Sequence, residues 1–372
     1  MEKDFDWGVF FEDAERFADF VNCEGFQGKE VVKASQVRDA DPRLYMKPDQ
    51  KDGSFKKERP GSGGRKSSGR GKEKKLTRIR DSVRKVVLGT NFVIVDVEEQ
   101  EILDYSYPLR NMGYVYGEYE RQADRIRDRN RRKARRGEDE GKEHRDDPGE
   151  NSREDAETAG EFLYHFRRED RLQPTIVFLL YSGKEEWTGP TDIYGMLDME
   201  NIPQELKSRI QNHRINLVDI HRMTEEQLSA YRSDVGKVFR LIRYSGEKEQ
   251  LSRLVETDEY YENMPQDAYS VAANYINAVE LKNINRYRTE TGGYRMCTAI
   301  RELIVDGRAE GERRLLVKQA CRKLRRQKTQ EEIAEELEEE PEVIRAILEA
   351  AKSCAPDYDE GRVYELYVGR NK

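Results

Sequence analysis

Two hydrophobic periods divide this chain, an every-other-residue alternation in its middle and a three-to-four-residue recurrence towards its end. Ser82–Leu88 (SVRKVVL) and Phe92–Gln100 (FVIVDVEEQ) are β-branched runs separated by Gly89-Thr90-Asn91. That is the pattern of two strands joined by a short glycine-containing turn. Thr175–Leu180 (TIVFLL) is apolar at successive positions, which predicts a strand covered on both faces, and Asn216–Ile220 (NLVDI) predicts another. Upstream, Glu12–Asn22 places Phe17, Phe20 and Val21 on one side, as an amphipathic helix does. Gly28–Val32 (GKEVV) and Leu44–Tyr45 read as short connectors. From Thr224 almost to Lys352 the pattern is helical. Within that tail Thr329-Gln330-Glu331-Glu332 fits a capping box that opens a helix through Ile333 and Leu337, and Pro341 suits the first turn of the next. The pair has a helix-turn-helix outline. Glu335, Glu336, Glu338, Glu339 and Glu340 would repel phosphate, however, which favours packing or interaction over DNA reading. The expected fold class is α/β with a helical C-terminal region.

Composition limits how much of the chain can join a core. Hydrophobic residues make up 36% and charged residues 38% of the 372, so part of the charge must sit in solvated segments. That charge is blocked. Phe55–Lys85 carries thirteen basic against three acidic residues, Arg121–Arg136 nine against two, and Gly137–Thr158 ten acidic against three basic. Such blocks are typical of solvated tails, and the basic ones also suit a polyanion-facing surface, since Lys and Arg release counterions from phosphate backbones. The Gly/Ser/Lys-rich stretch at 49–75 is expected to be an unfolded insert, and 123–160 a second, charged one. Between and around them lie 1–48 (N-terminal helix and connector), 76–122 (hairpin and following helix), 161–247 (the remainder of the core), 248–295 (a helical linker) and 296–372 (the helical C-terminal region). Cys23, Cys297, Cys321 and Cys354 lie far apart with no CxxC pair, which argues against a disulfide framework or structural zinc and for a reducing cytoplasm. The acidic N-terminus MEKDFDWGVFFEDAERF has no long apolar run, so neither a signal peptide nor a membrane span is expected.

The chemistry points to one end of the predicted hairpin. Side chains two apart share a strand face, so Val93, Val95 and Val97 form one face of Phe92–Gln100, while Asp96, Glu98 and Gln100 follow Phe92 and Ile94 on the other. A carboxylate on a largely apolar strand is costly unless it meets water or a cation. Asp81 lies seventeen positions before Glu98, and a turn near residue 90 folds it back towards Glu98. Two carboxylates at one hairpin end suit a hard ion such as Mg²⁺ or Mn²⁺, and Gln100 is placed to orient a water. The simpler reading is that Asp81 and Glu98 merely cap a solvent-exposed hairpin end. Other motifs fall away. The glycines at 61–64 and 69–71 open no helix, Gly183-Lys184 lacks a P-loop's upstream glycine, and His144, His165, His213 and His221 show no HExxH spacing. Trp187 and the tyrosines from Tyr105 to Tyr119 read as packing groups.

The arrangement Arg80-Asp81 … Val97-Glu98-Glu99-Gln100 … Pro108-Leu109-Arg110-x-Met112-Gly113-Tyr114 … Tyr119 … Gln122 resembles the recombination-promoting nuclease and putative transposase family, part of the PD-(D/E)xK nuclease superfamily. The resemblance continues in Phe17–Asn22, Thr175–Pro190, Ile215–Asp234 and the helix from Met296. It implies a mixed sheet flanked by helices and a Mg²⁺- or Mn²⁺-dependent DNA endonuclease. Asp81 and Glu98 would be the metal-binding acids and Gln100 the occupant of the lysine position. Asp19, Asp96, Tyr119 and Gln122 would be accessory residues near the site. Glu99 for a common Asn, Asp96 for a small residue and Val115 at a usual acidic position depart from the pattern. Arg78, Arg80, Arg84, Lys85 and Arg110 are the cations expected at a DNA backbone. The alternative is a catalytically inactive nuclease fold that binds DNA or protein, and a further one is self-association of the C-terminal helices through Met296–Leu316.

Overall fold

The computed structural model describes residues 7–41, 43–46, 76–79, 81–136, 159–276, 281 and 284–370. The insert expected at 49–75 and the acidic block at 137–158 lie outside the described residues. Helix α1 (Ala14–Phe26) leads to strands β1 (Val37–Asp39), β2 (Arg43–Met46), β3 (Leu76–Ile79), β4 (Ser82–Leu88) and β5 (Asn91–Gln100). After α2 (Tyr107–Arg136) and α3 (Ala159–Tyr164) come β6 (Thr175–Tyr181), α4 (Gln204–Lys207), β7 (Asn216–Asp219), α5 (Glu225–Ala230) and α6 (Val235–Arg243). The remaining helices are α7 (Lys248–Thr257), α8 (Gln266–Ile276), α9 (Met296–Leu324), α10 (Gln330–Leu337), α11 (Pro341–Lys352) and α12 (Glu360–Arg370). The chain divides into two compact units, Met1–Gly246 with Asp267–Asn277, and Glu247–Gln266 with Ala278–Lys372. The first unit thus recruits α8, which its periodicity alone assigns to the helical linker.

The first unit is built on a five-stranded mixed sheet in the order β1-β4-β5-β6-β7, beside a two-stranded β2-β3 ribbon. Strands β4 and β5 pair antiparallel from Ser82↔Val97 to Leu88↔Asn91. The connection is therefore the two residues Gly89-Thr90, one shorter than the three-residue turn expected. Gly89 has φ +62°, a left-handed conformation that glycine adopts without a Cβ penalty. β5–β6 and β6–β7 are parallel, and the β5–β6 link is a crossover carrying α2, the usual way to join parallel neighbours. Strand β2 stands where a connector was expected at Leu44–Tyr45. Its four residues pair antiparallel with β3, whose sequence lies on the far side of the 49–75 insert, so no local hairpin signal could mark it.

Both sheet faces are covered. Tyr107 of α2 packs with Leu179 and Ile215, and Tyr114 with Val177. On the opposite face Phe20 meets Phe178 edge-on at 5.4 Å, and Phe11 meets Phe20 at 5.2 Å. Trp7 stacks on Phe11 at 5.6 Å and meets Phe239 of α6 at 5.9 Å. Strand β5 is consequently buried from Ile94 to Glu98, not open on its acidic face as the alternation alone suggests. The crossover helix that a parallel pair requires is what closes that face.

Helix α2 also corrects the second insert. Residues 123–136, expected to be unfolded, continue the helix for a total of 30 residues, about 45 Å at 1.5 Å per residue. Arg and Lys are good helix formers, and Asp124–Arg127 (3.1 Å) and Asp128–Arg131 (3.2 Å) interleave charge at i,i+3 spacing. Buried Asn130 docks the helix by donating from Nδ2 to His165 O (3.1 Å) and Asp170 Oδ2 (2.7 Å). A count of charges registers the sign of this stretch but not its pairing.

The second unit packs the C-terminal part of α9 with α10, α11 and α12 around Val317, Cys321, Ile333, Ile344, Ile347 and Val363. The predicted capping box is present, with Glu332 N donating to Thr329 Oγ1 (3.3 Å) and Thr329 N to Glu332 Oε2 (2.7 Å). Pro341 occupies the first turn of α11. No described helix is long and apolar enough to cross a membrane.

Candidate active site

The site forms where the hairpin's open end meets the first turns of α2. Ser82 pairs with Val97, so Asp81, one step earlier, stands across from Glu98. The Glu99 backbone N–H donates to Asp81 Oδ2 (2.8 Å) and fixes that carboxylate against the end of β5. Glu98 is 5% exposed. Burial first, then the neighbouring Asp96 and Asp81 carboxylates, push its carboxyl well above the ordinary glutamate range, while a Tyr114 hydrogen bond and the Arg110 cation oppose the shift. Its Oε1 is buried and makes no hydrogen bond with any described residue.

Helix α2 lines the other side. Arg110 donates from Nη2 to Gln100 Oε1 (2.5 Å), pairs with Asp104 through Nη1 (3.1 Å) and lies 4.7 Å from the Tyr107 ring centroid. The Tyr107 hydroxyl is raised well above its ordinary value by burial and then by Glu98 and Asp96, with Arg110 and Asn111 acting against them. Asn111 Oδ1 lies 2.6 Å from His213 Nε2. A polar line therefore runs from β5 through the first turns of α2 to the segment entering β7. From sequence Tyr107 and Tyr114 read as packing groups, Tyr114 also as part of the motif, and Asn111 was not singled out. Their i, i+4, i+7 spacing was the available signal.

Glu99 points to the opposite face and anchors the strand end. Its Oε1 accepts from Ser182 Oγ (2.5 Å) and Tyr275 OH (2.9 Å), and Trp7 Nε1 donates to Tyr275 OH (2.7 Å). A residue that departs from the family pattern thus has a packing role. Gly183 follows directly. A Cβ there would lie 2.4 Å from Glu101 O and 2.3 Å from the Tyr181 hydroxyl. Gly183→Ala is expected to lower stability by about 1–3 kcal/mol through overpacking, seen as a lower thermal midpoint, and an unchanged melt would contradict this packing.

Of the other expected site residues, Asp96 stays at the site and the rest disperse. Asp96 is fully buried on the Glu98 face and reaches Glu98 through its charge. Asp19 is not drawn to the carboxylates. Its Oδ2 accepts from Arg232 N (2.9 Å), Ser233 N (2.8 Å) and Ser233 Oγ (2.6 Å), holding the turn before α6. Tyr119 and Gln122 also lie elsewhere. Thr175 N donates to Tyr119 OH (3.4 Å), and Gln122 clamps Gln173 by accepting from its N–H (2.7 Å) and donating to its carbonyl (3.3 Å). They sit where β6 begins. Thr175 pairs with Ile94 and Leu179 with Glu98, so about 13 Å of strand separates them from Glu98. The helix rises away from its Arg110 end as it crosses the sheet, carrying both residues past the site.

Of the expected DNA-facing cations, Arg84 turns inward, pairing with Asp39 (3.2 Å) and donating to Phe11 O (3.5 Å). Lys85 lies 5.3 Å from the Phe92 ring centroid. Arg80 and the side chain of Arg78 lie outside the described residues. Gln100 has both amide ends engaged, since its Nε2 donates to Ile102 O (2.8 Å) while Arg110 holds its oxygen.

A divalent cation would find hard oxygen donors here. Asp81 and Glu98 face one another, and the orphaned Glu98 Oε1 in a crowded acidic setting suits a cation that relieves the repulsion. No group of three or more His, Cys, Asp or Glu side chains among the described residues is arranged to hold a metal. Among the described residues this end of the hairpin offers a carboxylate pair and not a complete cage.

A family model described as "Putative transposase, YhgA-like" matches residues 162–268. That stretch, under a third of the chain, is similar to YhgA-like putative transposases. The YhgA-like segment spans β6, β7, α5, α6 and α7, and begins downstream of Asp81, Glu98 and Gln100. It supplies Leu179 beside Glu98, Ser182 and Gly183 behind Glu99, and His213 beside Asn111. No curated protein and no solved structure matches the chain.

Proposed function

We propose that this protein is a divalent-cation-dependent DNA endonuclease with a PD-(D/E)xK-like core, hydrolysing phosphodiester bonds at the Asp81–Glu98 end of the hairpin. One observation carries the reading: the placement of Asp81 across β4–β5 from buried Glu98, beside the arginine of the following helix. Asp81 and Glu98 are the residues that would hold Mg²⁺ or Mn²⁺. Such an ion, when bound, positions the scissile phosphate, lowers the pKa of a water and stabilises the charge that develops. Glu99 N–H orients Asp81, while Tyr114 and Arg110 orient Glu98. Arg110 holds the Gln100 amide, so Gln100 acts as a positioning residue and Arg110 supplies the cation that a lysine at position 100 would bring. The YhgA-like segment fits DNA as the partner.

The test is nicking of supercoiled plasmid with Mg²⁺ or Mn²⁺, comparing wild type with Glu98→Ala. Wild type nicks and the variant does not; equal cleavage by both discards the assignment. The engagement of Gln100 at both amide ends favours a second reading, an inactive nuclease fold that binds DNA. It predicts salt-sensitive binding with no cleavage by wild type under either ion.

A further inference from the structure

We infer that the C-terminal half of α2 is a docking strip for the sugar-phosphate backbone of double-stranded DNA, set about one duplex turn from the Asp81–Glu98 pair. The docking itself stands on α2 alone; its register with cleavage rests on the nuclease reading above. Arg110 holds Gln100, two residues past Glu98 on β5, and Tyr107 packs on Leu179, the β6 partner of Glu98. The same helix runs on without a break to Arg136. From Arg110 to Arg132 are 22 residues, a rise of about 33 Å, close to the roughly 34–36 Å that separates equivalent positions one turn apart on B-DNA.

The cations at the far end divide into two sets. Arg127 and Arg131 pair with Asp124 and Asp128 along the helix, and Arg129 with Asp170 (2.8 Å). Arg125, Arg132, Lys133 and Arg135 are exposed and make no ion pair with another described residue. The first set stiffens and docks the helix, and the second presents charge to solvent. Exposed cations that keep their hydration gain little from an isolated carboxylate, but gain counterion release against a polyanion. A membrane surface is a poorer fit, because residues 131–135 are exposed all round and include no large apolar side chain that could enter lipid. A stiff helix is a useful ruler only against a stiff partner. Duplex DNA, with a persistence length of about 50 nm, qualifies, and a flexible single strand does not.

The experiment uses the full chain in EDTA, with labelled DNA of about 24 bp, about 8 bp, and the matching single strand, between about 50 and 250 mM salt. The quadruple variant Arg125→Gln/Arg132→Gln/Lys133→Gln/Arg135→Gln keeps good helix formers at each position, and circular dichroism checks that α2 persists. On the longer duplex the variant is expected to bind at least about tenfold more weakly, with a salt slope reduced by about 2–4. On the 8-bp duplex the two proteins should bind alike. Arg125→Lys/Arg132→Lys/Arg135→Lys, which preserves charge, should bind the long duplex like wild type. Unchanged affinity and slope in the Gln variant overturn the inference, as does an equal loss on the single strand or a loss in the charge-preserving variant. Because EDTA removes metal chemistry, the two readings fail separately. A wild type that never cleaves but shows the slope change loses the nuclease and keeps the strip. A wild type that cleaves with no slope change in the variant loses the strip and keeps the nuclease.

Discussion

Glu98→Gln is expected to abolish divalent-dependent cleavage and, in the same protein, to raise the stability of the ion-free state. The activity side follows from charge, since an amide is a weak ligand for a hard cation, and loss of an essential electrostatic group commonly costs about 10²–10³ in rate. The stability side follows from crowding. Glu98 is raised well above its ordinary value of 4.5 by burial and by Asp96 and Asp81. A carboxyl raised by folding holds its proton more tightly in the native than in the unfolded state. Its contribution to stability is therefore full below about pH 4.5 and is lost as pH rises through the higher native value. At neutral pH wild type carries this penalty and the amide does not. A gain of about 1–3 kcal/mol is expected for Glu98→Gln, or about 2–4 °C in thermal midpoint per kcal/mol for a unit of this size. Melts at pH 7.5 and pH 5 in EDTA check both parts: the variant's advantage should be larger at pH 7.5. An advantage that is absent, or larger at pH 5, would refute the crowding argument.

The largest expected loss of stability lies elsewhere, at Arg16. This buried guanidinium donates from Nε to Asp234 Oδ1 (2.7 Å) and from Nη2 to Asp234 Oδ2 (2.9 Å). Nη1 donates to Asp267 Oδ2 and to Phe10 O (3.3 Å). Burial would lower its pKa, but the two carboxylates outweigh that and hold it above the ordinary arginine range. One side chain thus ties α1 to the residue capping the start of α6 and to α8, each more than two hundred residues away in sequence. Arg16→Ala leaves Asp234 and Asp267 partly buried without their cation, and breaking a buried pair from one side costs about 3–5 kcal/mol. A denaturation midpoint lowered to that extent is expected. The double variant Arg16→Ala/Asp234→Ala should recover part of the loss. A single variant that unfolds like wild type would show that the cluster contributes nothing.

Arg16 also shows what a sequence conceals. Strands β4 to β7 were legible because their β-branched runs report on pairing between neighbours or on burial from both sides. The hairpin placed Asp81 opposite Glu98 because its register is local. Strand β1 was not foreseen, being three residues long at a sheet edge, and β2 found its partner only across a long insert. The basic half of α2 was misjudged because composition registers a charge excess whether or not i,i+3 partners and an anchor such as Asn130 hold it in a helix. Tyr119 and Gln122 were drawn to the site by the family resemblance, yet helix rise carries them past it. Asp19 was a carboxylate in a promising segment, and only the fold reveals that Arg232 and Ser233 occupy it. Arg110 was expected at the DNA backbone, whereas the packing of α2 sets it beside Glu98 and against Gln100.

The most direct measurement is Mn²⁺ binding to the full chain by calorimetry, for wild type, Asp81→Asn and Glu98→Gln. A saturable site in wild type, weakened at least about tenfold by either substitution, is the expected result. Wild type that takes up no ion, or substituted chains that bind as tightly as wild type, would contradict the claim that these two acids form one cation site.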